Sequence, residues 1–422
     1  MKILRFAILL LFSVIQFLHA AERVSYKGLV YTVNEWNKTA GVEWLRYSRY
    51  GDRINGYYWK YNVDGYSGNI TIPEKMEYMG EEYTVIELRE HCFENCKIDT
   101  ITIPKTIKNI CSSAFKEAYV KCVNIQDVSS WCGIEINSHP ANYIASKIDL
   151  PSYASMTLQL TSLYINGEPA LDLVIPSDVN SIKASAFYGF GNIKTVTISD
   201  STKEIGSAAF QDCKSLISVV LPQNISKIAK GTFSYCDSLS QIQLPNGIIT
   251  IEETAFNGSR KLQTVIIPNS VVSIGVSAFE SCPIDSLIIG TNVREIGEHA
   301  FNGVGDQTKI YSLPTVPPTI CHSTFNYQNV SLTNHHNACL YVPSGCKQLY
   351  IEASGWKLFN QKNIFEIESD TTNQTGIKSG IKNTDSNVTM RYSINGNEYF
   401  TPRNGINIIR MKDGTTKKVV VK

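Results

Sequence analysis

Residues 209–222 read AFQDCKSLISVVLP and residues 232–245 read TFSYCDSLSQIQLP, the same pattern 23 residues later. The phenylalanine of that pattern recurs at Phe187, Phe210, Phe233, Phe256, Phe279 and Phe301, in steps of 23, 23, 23, 23 and 22. Pro222, Pro245 and Pro268 keep the same spacing, and an earlier pair, Phe93 and Phe115, repeats it at 22. A period of this length marks a solenoid, whose coils each leave apolar surface that only a neighbouring coil can cover.

Within one unit, Leu216 to Leu239, the recurrent apolar positions are Leu216, Val219, Leu221, Ile225, Ile228, Phe233 and Cys236. LISVVLP is short, β-branched and ended by proline, so it predicts a strand followed by a turn. SKIAKGTFSYC spaces its apolar residues three to five apart, which predicts a short helix or helical turn on the return. The expected fold is an α/β, strand-rich solenoid with a parallel sheet on one face. Alternation along the strand points Leu216, Val219 and Leu221 inward and Ser218 and Val220 outward. The equivalent outward pairs are Thr195/Thr197, Gln241/Gln243, Thr264/Ile266 and Ser286/Ile288, with Thr100/Thr102 in the earlier repeats. None of these is charged. Repeat arrays use such extended faces to bind partners, although Thr, Val and Ile also simply suit strands.

Units such as LQTVIIPNSVVSIGVSAFESC resemble the BspA-like leucine-rich repeats of surface proteins from Bacteroidetes and related microbes. VNIQDVSSWCGIEI with SLYINGEPALDLVIP resembles a module inserted in such arrays. CLYVPSGCKQLYIEASGWKLFNQKNIFEI resembles the segment that ends them, and RYSINGNEYFTPRNGINIIRMKDGTTKKVVVK is similar to the short tail that follows. The resemblance implies a leucine-rich-repeat fold and a role in adhesion to host extracellular-matrix proteins or to other microbes.

The rest of the chain is organised around the array. Lys2 and Arg5 precede the apolar run FAILLLFSVIQFL and the small residues Ala20 and Ala21, so residues 1–20 read as a secretory signal peptide and the protein as secreted or displayed on the cell surface. Residues 21–85 are rich in aromatics and read as a β-rich cap over the first coil. Their Trp36, Trp44 and Trp59 are the alternative site, a platform for a glycan. Repeats occupy 86–118 and 171–338, separated by an insert or degenerate repeats at 119–170. LPTVPPTI breaks the pattern, because Pro314, Pro317 and Pro318 force an extended path. Residues 339–368 read as a C-terminal cap and 369–385 as a polar linker. Residues 386–422 read as a small β tail turning at Asn395-Gly396 and Asp413-Gly414. The tail is similar to sorting or anchoring ends of exported proteins, and membrane attachment is expected only through it.

Charge and motifs exclude several functions. Residues 371–422 carry nine Lys/Arg against three Asp/Glu, leaving an acidic body that suits nucleic acid poorly. Phosphate-loop, zinc-protease and nucleophile-elbow motifs are missing from the sequence. His335 and His336 lie near Cys339 without a further ligand, and Cys132 with His139 lacks an orienting group. Of the eleven cysteines, Cys96, Cys213, Cys236 and Cys282 share the place three residues after the phenylalanine. Phe190, Ser259 and Val304 fill it elsewhere, which points to packing in the core rather than ligation or redox chemistry. Cys339 and Cys346 flank a compact turn and form the first candidate disulfide, whereas Cys92 and Cys96 lie too close along the chain to bridge without distortion. The expectation is a non-enzymatic binding protein with no cofactor and no metal, whose partner is a protein on the repeat face or, alternatively, a glycan.

Overall fold

The computed structural model describes residues 23–43, 66–111, 113–136, 161–325 and 337–367, and the backbone of strands at 388–393, 398–399, 405–411 and 416–421. The signal-peptide segment, the linker, Trp44, Trp59, His139, His335 and His336 lie outside the described residues. The chain divides into two compact units, Met1–Pro169 and Ala170–Lys422.

The first unit begins with an antiparallel meander, Arg23–Tyr26, Leu29–Asn34 and Thr39–Glu43. The last of these pairs in parallel with Glu81–Leu88, on which Lys75–Tyr78 folds back as a hairpin. A separate parallel ladder joins Ser67–Thr71, Lys97–Ile103, Tyr119–Ile125 and Ser162–Ile165. Coil stacking therefore starts at Ser67, earlier than the phenylalanine pattern indicates. The ring beside Phe93 is Tyr66, packed edge-on at 5.5 Å, and a tyrosine 27 residues upstream is invisible to a 23-residue phenylalanine count.

In the second unit each coil contributes one outer strand. Asp172–Ile175, Thr195–Ile198, Ser218–Val220 and Gln241–Ile242 form one parallel sheet. Thr264–Ile266, Ser286–Ile289, Lys309–Ser312, Cys339–Pro343 and Ile364–Ile367 form another. Inside, Phe187, Phe210, Phe233, Phe256, Phe279, Phe301 and Phe325 stack with centroids 4.9 to 5.7 Å apart and interplanar angles of 6° to 16°. Phe325 extends the column one coil beyond the regular count. Trp356 and Phe359 cover it at 5.6 and 5.3 Å. Trp356 Nε1 donates to the carbonyl of Pro318 (2.7 Å) and Tyr350 Oη to that of Pro314 (2.8 Å), so the proline segment is pinned beneath the covering residues. The strands at 388–393, 398–399, 405–411 and 416–421 make a four-stranded antiparallel sheet.

The return limb differs from the helical turn expected of SKIAKGTFSYC. Lys227–Ile228 forms a second, short parallel ladder with Thr250–Ile251, and turns follow it. Around Phe210, the N–H groups of Ala208, Phe210 and Asp212 donate to Lys230, Thr232 and Ser234 of the next coil. Those of Ala209 and Gln211 donate within their own coil, to Gly206 and Ala208. Left-handed backbone two residues before and after the phenylalanine sets this alternation, at Ala208 (φ 55°) and Asp212 (φ 60°) here and at Ser277 (54°) and Ser281 (61°) two phenylalanines short of the last coil. A helix keeps its N–H groups to itself, whereas this limb hydrogen-bonds coil to coil.

The cysteine position also gains a role. Cys213 Sγ lies 3.1 Å from the carbonyl of Phe187, Cys236 Sγ 3.1 Å from that of Phe210 and Cys282 Sγ 3.2 Å from that of Phe256, each as donor to the preceding coil. Ser259 Oγ makes the same bond to Phe233 at 3.1 Å. All eleven cysteines are free, so neither Cys339 with Cys346 nor Cys92 with Cys96 is bridged.

Candidate functional site

The outer sheets of the second unit carry two outward rows, set by strand register. One row holds Asp172, Thr195, Ser218 and Gln241 in the first sheet, then Thr264, Ser286, Lys309 and Cys339 in the next. The other holds Val174, Thr197 and Val220, and later Ile266, Ile288, Tyr311, Tyr341 and Phe365. Gln243 takes the equivalent place in its own coil.

Val174 is 60% and Val220 52% exposed. Thr197, Gln243 and Thr264 are exposed, while Thr195, Ser218, Gln241, Ile266 and Ser286 are half-buried. Thr195 Oγ1 donates to Asp172 Oδ1 at 2.7 Å. Ile288 departs from expectation: it is 3% exposed. Tyr311 lies beside it in register, and with Leu313 the three form an apolar cluster against which Ile266, Tyr341 and Ile367 pack. The outward row is therefore accessible at its start and closed over by its own neighbours further along. The uncharged stretch is also bounded, since Asp172 and Lys309 stand in the same row as the expected Thr, Ser and Gln residues.

Tyr311, Tyr341 and Phe365 are the residues of the outward row that the sequence reading did not name. Tyr311 and Tyr341 stack at 4.7 Å, and Tyr341 and Phe365 at 5.4 Å, so the rings spend their faces on one another. Burial raises the hydroxyl pKa of both tyrosines. The proline break hides Tyr341 and Phe365, but Tyr311 lies before it and keeps the spacing, following Lys309 as Ile288 follows Ser286.

In the first unit, Thr100 and Thr102 are half-buried beside Cys122 and Asn124, and Asn124 Nδ2 donates to Thr102 Oγ1 at 3.4 Å. An ion pair between Lys121 and Asp99 lies on the same two strands, so this face is not uncharged. Trp36 is exposed in the turn before Thr39. Cys132 is buried at the end of the helix Val128–Cys132. Among the described residues no three His, Cys, Asp or Glu side chains are placed to hold a metal ion. No helix among them is long and apolar enough to cross a membrane.

Stacked strand-and-turn coils with parallel ladders and an interior phenylalanine column define a leucine-rich-repeat solenoid. The family model for the BspA type leucine rich repeat region matches in six copies, over residues 68–152, 164–283 and 227–350, and the chain belongs to that family. Among solved structures it is similar to a leucine-rich repeat protein from Bacteroides ovatus, at 20% identity over 82% of this chain and 76% of that one, with a TM-score of 0.52. It is also similar to a leucine rich cell surface protein from Faecalibacterium prausnitzii, at 17% identity over 65% of this chain and 94% of that one (TM-score 0.26). The pneumococcal vaccine antigen PcpA matches at 16% identity over 83% of this chain and 99% of that one (TM-score 0.36). No curated protein matches the chain.

Proposed function

We propose that the chain is an exported, non-enzymatic protein that binds a protein ligand on the outer face of the second unit's array. The observation that carries this reading is the row Val174, Thr197, Val220 and Gln243, with two valines more than half exposed on a parallel sheet and no charge between them. Apolar groups left in water on a sheet gain about 25 cal/mol per Å² when a partner covers them. Thr195, Ser218, Gln241, Thr264, Ile266 and Ser286 would frame the contact, and Ile288 would not take part. The charged n-region and apolar run before Ala20 support export, and the family supports a ligand on a matrix or microbial surface.

The test uses the mature chain against immobilised matrix proteins such as fibronectin and laminin, with Val174→Lys/Val220→Lys as the variant. At least a tenfold loss of affinity with an unchanged melting temperature is the expected outcome. Equal binding by the variant would remove the sheet face from the reading. A glycan ligand on the N-terminal aromatics has Trp36 as its one described residue. That alternative is tested by a glycan array probed with Trp36→Ala.

A further inference from the structure

A single exposed apolar side chain is ordinary, but two on adjacent turns make a patch. Trp36 is 76% exposed in the turn between Leu29–Asn34 and Thr39–Glu43, and Met79 is 77% exposed in the turn between Lys75–Tyr78 and Glu81–Leu88. The two turns are neighbours, because Thr39 pairs with Thr84 in parallel register and Tyr78 pairs back with Glu81. Lys38 joins them. Its carbonyl accepts from Thr84 N at 2.9 Å, and its ammonium lies 3.8 Å from Glu81 Oε2 and 5.1 Å from the Tyr83 ring centroid. Lys75 pairs with Glu82 on the same hairpin.

Neither side chain is needed to build its turn. Asn34 Oδ1 accepts from the N–H groups of Trp36 and Asn37 at 3.1 and 3.4 Å, and Thr39 Oγ1 donates to Asn37 Oδ1 at 2.6 Å. The indole contributes nothing to that arrangement. Met79 has φ 52°, a left-handed conformation that asparagine or glycine adopts with less strain, and its thioether gains no burial in return. A tryptophan and an adaptable methionine presented on neighbouring turns are residue types that anchor protein interfaces.

Charge selects the partner. Lys38 and Lys75 pair with Glu81 and Glu82, which leaves Glu35 and Glu77 exposed with no ion pair among the described residues. We propose that the Trp36 and Met79 turns form a second docking site that takes a basic segment of a partner protein. An apolar side chain of that segment lies against Trp36 and Met79, and its Lys or Arg groups face Glu35 and Glu77. A sugar would use the indole face but has no need of Met79, and the exposed carboxylates of Glu35 and Glu77 oppose an anionic bilayer.

The experiment probes the mature chain on an array of synthetic peptides that vary independently in net charge and apolar content. Peptides combining Lys or Arg with an apolar residue are expected to be enriched. Trp36→Ala, Met79→Asn and Glu35→Lys/Glu77→Lys should each bind them at least tenfold more weakly. Met79→Asn should at the same time melt higher, since asparagine relieves the left-handed turn; a merely structural Met79 would melt lower when replaced. Val174→Lys/Val220→Lys should keep the affinity, which separates this site from the sheet face. The proposal fails if the variants bind as tightly as the parent, if no basic class is enriched, or if the Trp36-dependent signal appears only on a glycan array or on phosphatidylcholine vesicles.

Discussion

Cys236 and Ser259 occupy the same place in successive coils, and each hydrogen of its XH group reaches a phenylalanine carbonyl one coil back. That the place faces the core was legible in the sequence, because phenylalanine and valine also fill it. The hydrogen bond was not, because those same residues cannot donate and blur the pattern. Burial pushes the Cys282 thiol up from 9.0 to about 12 and raises Cys213 and Cys236 by the same cause. The native state thus prefers the protonated thiol, so this contribution to stability is complete below pH 9 and declines as pH rises from 9 toward 12. Urea midpoints measured across that window should fall. Iodoacetamide at pH 8 should leave Cys213, Cys236 and Cys282 unlabelled until the chain is unfolded.

At the scale of the coil, the strand and its inward and outward sides were legible from alternation alone. The return limb was not. Apolar residues three to five apart fit a helical turn and a stacked turn equally well, and the bonds that decide between them run to residues a full coil away. The left-handed positions were equally hidden, since only some of them are glycine: Gly189, Gly231, Gly258 and Gly303 show them, while Ala208, Tyr235 and Thr254 mask them. Close stacking makes other glycines indispensable. A Cβ on Gly275 would lie 2.5 Å from Glu253 N and one on Gly297 2.6 Å from Val276 N, both backbone atoms, whereas Gly305 has open space around it. Gly275→Ala and Gly297→Ala should each destabilise by about 1–3 kcal/mol, and Gly305→Ala should be close to neutral. In the same thermal melts Thr254→Gly should gain about 1 kcal/mol, because a β-branched residue at φ 54° carries a left-handed strain that glycine lacks. Ile288 shows the remaining limit of periodicity. Alternation put it on the correct side of the strand, but its exposure depended on the ring of Tyr311 one coil on, and periodicity places that residue without saying how much of its neighbour it covers.

For the whole molecule, the period alone established a solenoid, since no single coil can cover its own apolar surface. The ends were harder to read, because a covering segment is defined by the shape of the last coil rather than by any repeat. Trp356 does this for the second unit, sitting on Phe325 and holding Pro318. Trp356→Ala should cost about 3–5 kcal/mol, and hydrogen exchange should show protection failing first in the coils nearest Phe325. The turn limb adds an asymmetry of its own. From Phe187 to Phe301, each phenylalanine N–H in the second unit donates to the carbonyl of the coil that follows it. Elsewhere in the coil the direction reverses, since Lys194, Lys203 and Gly206 donate their N–H groups to the coil before them. A cut at either side of a coil thus strands N–H groups, which are seldom left unpaired when buried. Coils are therefore gained or lost at least cost between two intact neighbours, where both sets of bonds are remade, which gives a lineage of these proteins its interior rather than its ends as the place to lengthen or shorten its reach.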